Sequence, residues 1–267
     1  MKPQLHSTHL STLMRCPKQY EFRYVNGLVI PPGVALHIGS ATHDAIAKNL
    51  KHKAETGGAL LPVSDVQDLA RDSVAKRWDS EDVYLQDDEA ERGRDTMRAE
   101  TIDTAVALAA LHATELAPII QPISAAHVER KWVLEIGDLP FDLAGTIDVQ
   151  ESGRIRDTKT AKKTPTQGDV DSNEQFTMYA LAASVIDSDV KPPVDISVDA
   201  LIKTKQPKSE ILQTKRMGWQ MRALVETIKS YSILIQAGHF PPNTSGWWCS
   251  RTWCGYASRC PFYSGRP

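Results

Sequence analysis

The chain has 267 residues, of which 41% are hydrophobic and 24% are charged, and its formal net charge at pH 7 is −2. This composition is typical of a globular protein, and the lack of an apolar run of about eighteen residues argues against a membrane span. The small negative charge also argues against a protein that coats nucleic acid nonspecifically. For this length we predict one domain, divided into an N-terminal segment (1–36), a helical region (37–122), a core (123–216) and a closing tail (217–267).

The predicted elements form a helical first part and a β-rich second part. Apolar residues at helical intervals predict helices over 7–14, 17–25, 37–50, 66–78 and 89–116. Alternating and β-branched residues predict strands over 127–134, 141–149, 154–159, 194–203 and 211–215. A helix around Gln175 follows the third strand, and an amphipathic helix from Met217 to Ile235 closes the chain before its cysteine-rich tail.

Two acids and one lysine meet at the hairpin predicted between strands 141–149 and 154–159. Asp148 lies on the first strand, while Asp157 and Lys159 lie two residues apart on the second and therefore share one strand face. Two carboxylates can hold a divalent cation, and a nearby ammonium group positions or polarises a water molecule. Metal-dependent hydrolysis of a phosphodiester requires such a grouping. Glu129, on the preceding strand, could support this site, but we interpret it as an exposed strand residue.

The order of these residues resembles the core of the PD-(D/E)XK nucleases, in which an acid, a strand turn and an acid-x-lysine motif recur. His43 resembles the histidine that this superfamily carries on a helix, and Gln175 with Tyr179 resembles the Gln-x-x-x-Tyr motif of RecB-type exonucleases. The resemblance implies an α/β fold with a restriction-endonuclease-like core, in which helices flank a central mixed sheet. It also implies a helical insertion between the histidine and the acids, and a C-terminal metal-cluster staple.

The same resemblance implies the roles of the site residues. The catalytic residues would be Asp148, Asp157 and Lys159, with Lys159 orienting or activating the attacking water. The implied ligands of Mg²⁺ or Mn²⁺ are His43, Asp148, Asp157 and the backbone carbonyl of Thr158. Gln175 and Tyr179 would bind the DNA strand. Because nitrogen ligands suit Mn²⁺ better than Mg²⁺, the imidazole makes Mn²⁺ the better expected activator.

The four cysteines are distributed as one plus three, with Cys16 near the start and Cys249, Cys254 and Cys260 near the end. A chain of this length needs no disulfides, and no signal-peptide pattern precedes Cys16, so we expect reduced thiols in a cytoplasmic protein. The arrangement resembles the iron–sulfur RecB-family nucleases, including CRISPR-associated adaptation nucleases and AddB-like subunits, and implies a [4Fe-4S] cluster on all four. Cys249 and Cys254 are farther apart than is usual in that family.

Structural zinc held by the four cysteines is the alternative, although zinc sites are usually built from two close ligand pairs. Either metal would connect segments more than two hundred residues apart, so we expect it to stabilise the fold and not to catalyse redox chemistry. The aromatic residues near the three C-terminal cysteines would either shield the cluster or simply pack the tail. They are Trp247, Trp248, Trp253, Tyr256, Phe262 and Tyr263.

Basic residues concentrate in two segments, 154–163 and 203–216. If both lie on one side of the fold, they form a groove that attracts phosphates beside the metal site. The alternative is ordinary solvated lysine at strand ends and in loops.

Two functions from different classes follow from these features. The first is a DNA exonuclease that prefers single-stranded ends and acts in recombination, repair or phage DNA processing, with a helicase, annealing protein or recombination protein as a candidate partner. The second is a non-catalytic or partner-dependent DNA-binding subunit with a structural iron–sulfur or zinc site.

Overall fold

The computed structural model describes residues 2–137, 139–263 and 265. It divides the chain into two compact units, each built from separate segments of sequence. The terminal unit contains Met1–Ile30, Val133–Gly145 and Gly218–Pro267, and the central unit contains Pro31–Trp132 and Thr146–Met217. These boundaries differ from those of the four segments predicted within a single domain.

The helices agree with the prediction in place and are mostly longer. In chain order the α-helices are α1 (Ser7–Arg15), α2 (Pro17–Tyr20), α3 (Val34–Glu55), α4 (Val63–Ser80), α5 (Asp87–Arg92), α6 (Arg94–Leu111), α7 (Gln167–Asp171), α8 (Glu174–Ile186) and α9 (Gly218–Gln236). Short π-helical turns follow α2 and α6, over Glu21–Val25 and His112–Leu116. The single helix predicted over 89–116 is broken between α5 and α6 at Gly93, whose φ of 87° is accessible to glycine but not to most residues.

The strands also agree with the prediction, with the short β1 as an addition. They are β1 (Gln4–Leu5), β2 (Val128–Leu134), β3 (Asp142–Glu151), β4 (Arg154–Ala161), β5 (Val194–Ile202) and β6 (Lys208–Arg216). In the terminal unit, β1 pairs in parallel with the first residues of β3.

The sheet of the central unit is mixed. The second half of β3 pairs antiparallel with β4, β4 pairs in parallel with β5, and β5 pairs antiparallel with β6. Helices α3 and α6 contact the sheet at β4 and β5, whereas α7 and α8 contact it at β6. The predicted α/β class, a central mixed sheet flanked by helices, is therefore confirmed.

The core of the central unit is formed mainly by α3, α4 and α6, which bury apolar residues at helical spacing. On α3 these include Ile38, Ala41 and Ala45, all almost inaccessible to solvent. At Gly39, α3 lies close to β4, since a Cβ at this position would lie 3.4 Å from the Thr160 hydroxyl oxygen. This close approach brings the next turn of α3, with His43, to the surface of the sheet.

Strand register separates the basic residues of segments 154–163 and 203–216 into two groups. At the carboxyl end of β4 and β5, near Lys159, lie Lys162, Lys163, Lys203, Lys205 and Lys208. At the opposite end of these strands lie Arg154, Lys215 and Arg216. The condition for one basic groove, that both segments lie on one side of the fold, is therefore met only by the lysines at the carboxyl end of β4 and β5.

Two arginines of these segments have structural roles. Arg156 is 5% exposed, and its guanidinium group lies 2.8 Å from Asp199 and 2.6 Å from Glu151. Arg216 is 1% exposed and donates a hydrogen bond to the Asn173 carbonyl, which helps to fix the start of α8. Burial removes both side chains from contact with a nucleic acid.

Within the described residues, no helix combines the length and the apolar character needed to cross a lipid bilayer.

His112 should make the stability of the protein depend on pH. Its side chain is fully buried in the central unit, and neither ring nitrogen has a hydrogen-bond partner among the described residues. Burial, assisted by the positive charges of His43 and Arg156, lowers the pKa of His112 from 6.5 to about 3. Below pH 6.5 the unfolded chain therefore binds a proton that the folded chain does not, so this histidine lowers stability as the pH falls from 6.5 towards 3.

We expect the His112→Leu variant to lose this dependence. The slope of unfolding free energy against pH should fall by up to about 1.4 kcal/mol per pH unit between pH 6 and pH 4. Urea unfolding at several pH values measures the slope, and His52→Leu on α3 is the control that should retain it. Equal slopes for the wild type and His112→Leu would contradict the assignment.

Candidate active site and cysteine cavity

An open cleft of about 1050 Å³ lies in the central unit where β3 and β4 separate. The paired residues of these strands end at Val149 and Arg156. Beyond this point the backbone N–H of Thr158 donates to the Asp148 carboxylate, at 2.9 Å, and not to a strand carbonyl. The carboxylate thus satisfies a backbone donor that the separation of the strands leaves free. Asp148, Thr158 and Lys159 all line the cleft.

Asp157 and Lys159 form a close ion pair on one face of β4. The Asp157 side chain is fully buried, and the Lys159 ammonium nitrogen lies 3.0 and 2.8 Å from its two carboxylate oxygens. The same ammonium donates to the Gln175 amide oxygen at 2.9 Å, and the Gln175 amide nitrogen lies 2.5 Å from the Tyr179 hydroxyl. One of the three N–H donors of Lys159 therefore remains for a group in the cleft, towards which the one-third-exposed side chain opens.

His43, Glu129 and Asp148 form a second group in the same cleft. One ligand atom from each lies within 4.8 Å of the others, and the His43 Nδ1 atom is 3.3 Å from an Asp148 oxygen. Imidazole and carboxylate are suitable ligands for divalent metals such as Mn²⁺. This donor set could hold one cation.

Glu129 is the site residue that the sequence interpretation missed. It is half-buried at the cleft, not exposed on a strand surface. Its φ of 54° lies in the left-handed region, which is unusual for a residue with a Cβ, and such conformations concentrate at functional sites. The only signal in the sequence was an acid on the strand before the hairpin. The backbone conformation that turns the Glu129 side chain into the cleft cannot be read from residue types.

Burial is the main cause of the pKa shifts of the site carboxylates. Burial, together with the nearby Asp148, raises the pKa of Glu129 to about 7. Burial also raises the pKa of Asp157 to about 6, although Lys159 opposes this change. For Lys159, burial lowers the pKa, but the charges of Asp157 and Asp148 outweigh burial and raise it overall, so the amine is protonated.

The Asp157 carboxylate is buried beside the cleft. Its Oδ2 atom lies 2.8 Å from the Lys159 nitrogen without a hydrogen bond of good geometry, and the Tyr179 hydroxyl hydrogen-bonds to the same carboxylate. A buried oxygen is costly unless a donor or cation satisfies it. Beside the donor set of His43, Glu129 and Asp148, the residues present fit a divalent cation in this cleft.

The structure brings together most of the side chains predicted for the site. His43 and Asp148 lie in the triad, whereas Asp157 pairs with Lys159, and Glu129 takes the third place in the triad. Of the two residues predicted to bind DNA, Gln175 contacts Lys159, and Tyr179 contacts Gln175. Tyr179 is only 3% exposed, which is unfavourable for direct contact with a DNA strand. Burial first, and then the charges of Asp157 and Asp148, raise the pKa of Tyr179 well above 10, so its hydroxyl remains protonated.

The terminal unit contains a separate cavity lined by all four cysteines. Its lining contains Cys16, Cys249, Cys254 and Cys260. None of the four forms a disulfide. Among the described residues, however, no three cysteine sulfurs lie within 4.8 Å of one another. The four thiols therefore line one cavity but do not form a compact group.

Backbone N–H groups point at two of these sulfurs. The Asn243 N–H donates to Cys16 Sγ at 3.4 Å, and the Tyr256 N–H donates to the Cys254 sulfur. Burial raises the pKa of Cys254, and the other three cysteines raise it further, whereas the Tyr256 hydrogen bond opposes this change. Four thiolates here would therefore repel one another unless a cation lay between them.

The aromatic residues of the tail have different environments. Trp248 and Tyr263 line the cysteine cavity, and Tyr256 is buried with its hydroxyl donating to the Leu28 carbonyl. Trp247 and Trp253, in contrast, are 66% and 60% exposed. Trp248 and Tyr263 therefore agree with shielding of the cavity and Tyr256 with packing of the tail, whereas Trp247, Trp253 and the 46% exposed Phe262 agree with neither.

A hairpin that carries an acid and an acid-x-lysine motif, beside a helix-borne histidine, is the arrangement of a metal-dependent nuclease. The model of the PD-(D/E)XK nuclease superfamily matches residues 5–261. This chain belongs to the PD-(D/E)XK nuclease superfamily.

One solved structure has a similar fold. The crystal structure of a "putative exonuclease" from Eubacterium rectale superimposes with a TM-score of 0.56, covering 92% of this chain and 86% of that one. The two sequences are 9% identical, so the likeness concerns the fold alone. No curated protein gives a significant match to this sequence.

Glu129→Gln should weaken binding of a divalent cation. The substitution keeps the shape of the side chain but removes one negative charge from the triad, so we expect the dissociation constant for Mn²⁺ to rise at least tenfold. Isothermal titration calorimetry measures it. Glu135→Gln, which alters a 73% exposed carboxylate in the terminal unit, is the control and should bind as the wild type does. Wild-type affinity in Glu129→Gln would exclude Glu129 as a ligand.

Proposed function

We propose that this protein is a metal-dependent DNA exonuclease that prefers single-stranded ends. The observation that carries the proposal is the cleft that His43, Glu129, Asp148 and Lys159 line together, with Lys159 paired to the buried Asp157. Membership of the PD-(D/E)XK superfamily supports a nuclease with a divalent cation. The preference for ends rests on the resemblance to RecB-type exonucleases.

Mg²⁺ or Mn²⁺ bound to these residues would neutralise charge on the scissile phosphate and lower the pKa of a bound water. The ligands in our proposal are His43, Asp148, Asp157, the Thr158 carbonyl and, in addition, Glu129. Lys159 remains protonated between Asp157 and Gln175, and its side chain lines the cleft. There its ammonium group would hold the attacking water or a phosphate oxygen. The role of Lys159 would be to position one of these reacting groups.

Gln175 and Tyr179 have a role in this proposal that differs from direct DNA binding. The Gln175 amide oxygen accepts from Lys159, and the amide nitrogen contacts the Tyr179 hydroxyl, so the amide is fixed on both sides. Tyr179 is buried and cannot rotate freely. We propose that both residues position the Lys159 ammonium group. Without them the lysine side chain would be mobile and would not hold a reacting group in place.

For the cysteine cavity we propose a structural [4Fe-4S] cluster. A single zinc ion binds four thiolates tetrahedrally at about 2.3 Å, which requires sulfur atoms about 3.8 Å apart. Among the described residues, no three of the four sulfurs lie within 4.8 Å of one another, so they do not form the compact set that one zinc ion needs. A larger group of several metal ions suits such separated ligands better, and the backbone N–H donors to Cys16 and Cys254 suit thiolates bound to a cluster.

Lys159→Ala should abolish nuclease activity. The substitution removes the ammonium group from the cleft, so we expect the rate of cleavage to fall at least a hundredfold. The measurement is loss of end-labelled linear single-stranded DNA in Mn²⁺, in Mg²⁺ or in chelator. Lys162→Ala, which removes an exposed lysine three residues away, is the matched control and should retain most activity.

No cleavage by folded, metal-loaded wild-type protein that still binds DNA would instead favour the alternative function. The chain would then be a DNA-binding subunit, or a nuclease that requires a partner such as a helicase, annealing protein or recombination protein.

Dependence on ends gives a second test. We expect linear single-stranded DNA to be degraded much faster than a covalently closed circle of the same sequence, because a circle offers no terminus. Gel electrophoresis of both substrates under identical conditions measures the two rates. Equal rates would assign the protein to the endonucleases without affecting the proposed metal site.

The cluster can be tested by spectroscopy. Protein purified without oxygen should be brown, with absorbance near about 400 nm from charge transfer between thiolate and iron. Cys254→Ala should lose this absorbance and unfold at a lower temperature, because the cluster connects distant segments. Ser258→Ala, at an exposed position nearby, is the control. Stoichiometric zinc with no absorbance would establish the zinc alternative.

A further inference from the structure

Two tryptophans of the terminal unit belong neither to its buried core nor to the lining of the cysteine cavity. Trp247 and Trp253 are 66% and 60% exposed, and their ring centroids lie 5.1 Å apart at an interplanar angle of 81°. Trp248, between them in sequence, is held differently. Its indole N–H donates to the Asn243 carbonyl, and its ring lies so close over Gly246 that a Cβ there would be 2.2 Å away.

The fixed position of Trp248 indicates that the exposure of its neighbours is not a consequence of a loosely packed tail. An exposed pair of large aromatic rings is expensive in water and typically marks a binding surface. Trp247 contacts both Trp253 and Trp248 edge to face, and most of the surface of Trp247 and of Trp253 still remains open to solvent.

The chain segment that carries this pair has charge of one sign. The sequence contains no Asp or Glu from residue 227 to residue 267, although the chain as a whole has a net charge of −2. Arg251 lies between the two tryptophans, and Arg259 lies a few residues further on; both side chains are exposed. Within the described part of the chain, neither arginine forms an ion pair. The surface therefore combines open aromatic faces with uncompensated positive charge.

We propose that Trp247, Arg251 and Trp253 form a stacking platform for a single strand of DNA. Unpaired bases stack on aromatic rings regardless of sequence, while a guanidinium group neutralises the phosphates that connect them. A duplex offers such faces only at its ends, so this surface favours unpaired nucleotides. The inference deepens the proposed nuclease function, on which it rests for the choice of DNA as the ligand.

Charge distinguishes this ligand from the other candidates. Exposed tryptophan and arginine also occur at protein interfaces, but those surfaces usually carry a polar rim of mixed charge. A second copy of the chain would place one positive surface against the same positive surface, which is unfavourable in a symmetric dimer. A polyanion with exposed aromatic faces is complementary in both respects.

Binding can be measured without cleavage. In chelator, the anisotropy of a labelled oligothymidylate of about sixteen nucleotides gives the dissociation constant, and quenching of tryptophan fluorescence reports stacking. Trp247→Ala and Trp253→Ala should each weaken binding about tenfold, the change that stacking of one base supplies. Trp253→Phe should recover most of the affinity. Arg251→Gln should lower the dependence of affinity on salt concentration.

The matched control is Trp219→Ala. Trp219 is a 61% exposed tryptophan on α9 of the same unit, without a ring contact to the pair. Its substitution should leave the dissociation constant unchanged, as should Trp253→Ala when the ligand is a hairpin duplex of the same length. Circular dichroism establishes that each variant is folded.

The outcomes separate this inference from the proposed function. If the wild type binds the strand through Trp247 and Trp253 but cuts no DNA, the platform stands and the exonuclease proposal fails. If the wild type cuts DNA and both alanine variants bind the strand as tightly as it does, the platform is overturned and the exonuclease proposal stands. Self-association of the wild type that both variants lose, with DNA affinity unchanged, would assign the surface to a second copy of the chain.

Discussion

The hydrogen bond from the Thr158 N–H to the Asp148 carboxylate is the interaction on which the candidate active site depends. It lies where β3 and β4 stop pairing, and it supplies the acceptor that an ordinary hairpin would take from the backbone. The strands can therefore separate without leaving a buried donor unsatisfied. Their separation opens the cleft, and it holds Asp148 between the helix that carries His43 and the strand that carries Lys159.

Charge balance around this opening accounts for the arrangement of the other side chains. Burial alone would favour neutral carboxyl groups, and the raised pKa values of Glu129 and Asp157 reflect this tendency. Lys159 compensates part of the charge from one side, and a divalent cation would compensate the rest from the other. A site with this imbalance is prepared for a cation, since binding the ion removes the repulsion that the folded chain otherwise retains.

The terminal unit relies on a different principle, in which segments far apart in sequence converge on one cavity. Cys16 comes from the N-terminal segment and the other three cysteines from the tail, so a ligand bound to all four would connect them. The tail around the cavity has few regular elements, and Trp248, Tyr256 and the backbone donors to sulfur hold it in place. The same short segment can then present Trp247 and Trp253 to solvent.

The sequence by itself determined the order of the elements and the central motif. Asp148, Asp157 and Lys159 are joined by a short hairpin, and the two-residue period of a strand is a local property, so their proximity follows from residue types alone. Only the tertiary structure decided the rest. Glu129 enters the cleft through an unusual backbone angle, Gln175 turns towards Lys159, and Arg156 and Arg216 are buried. These outcomes depend on packing between segments distant in the chain, which local patterns cannot encode.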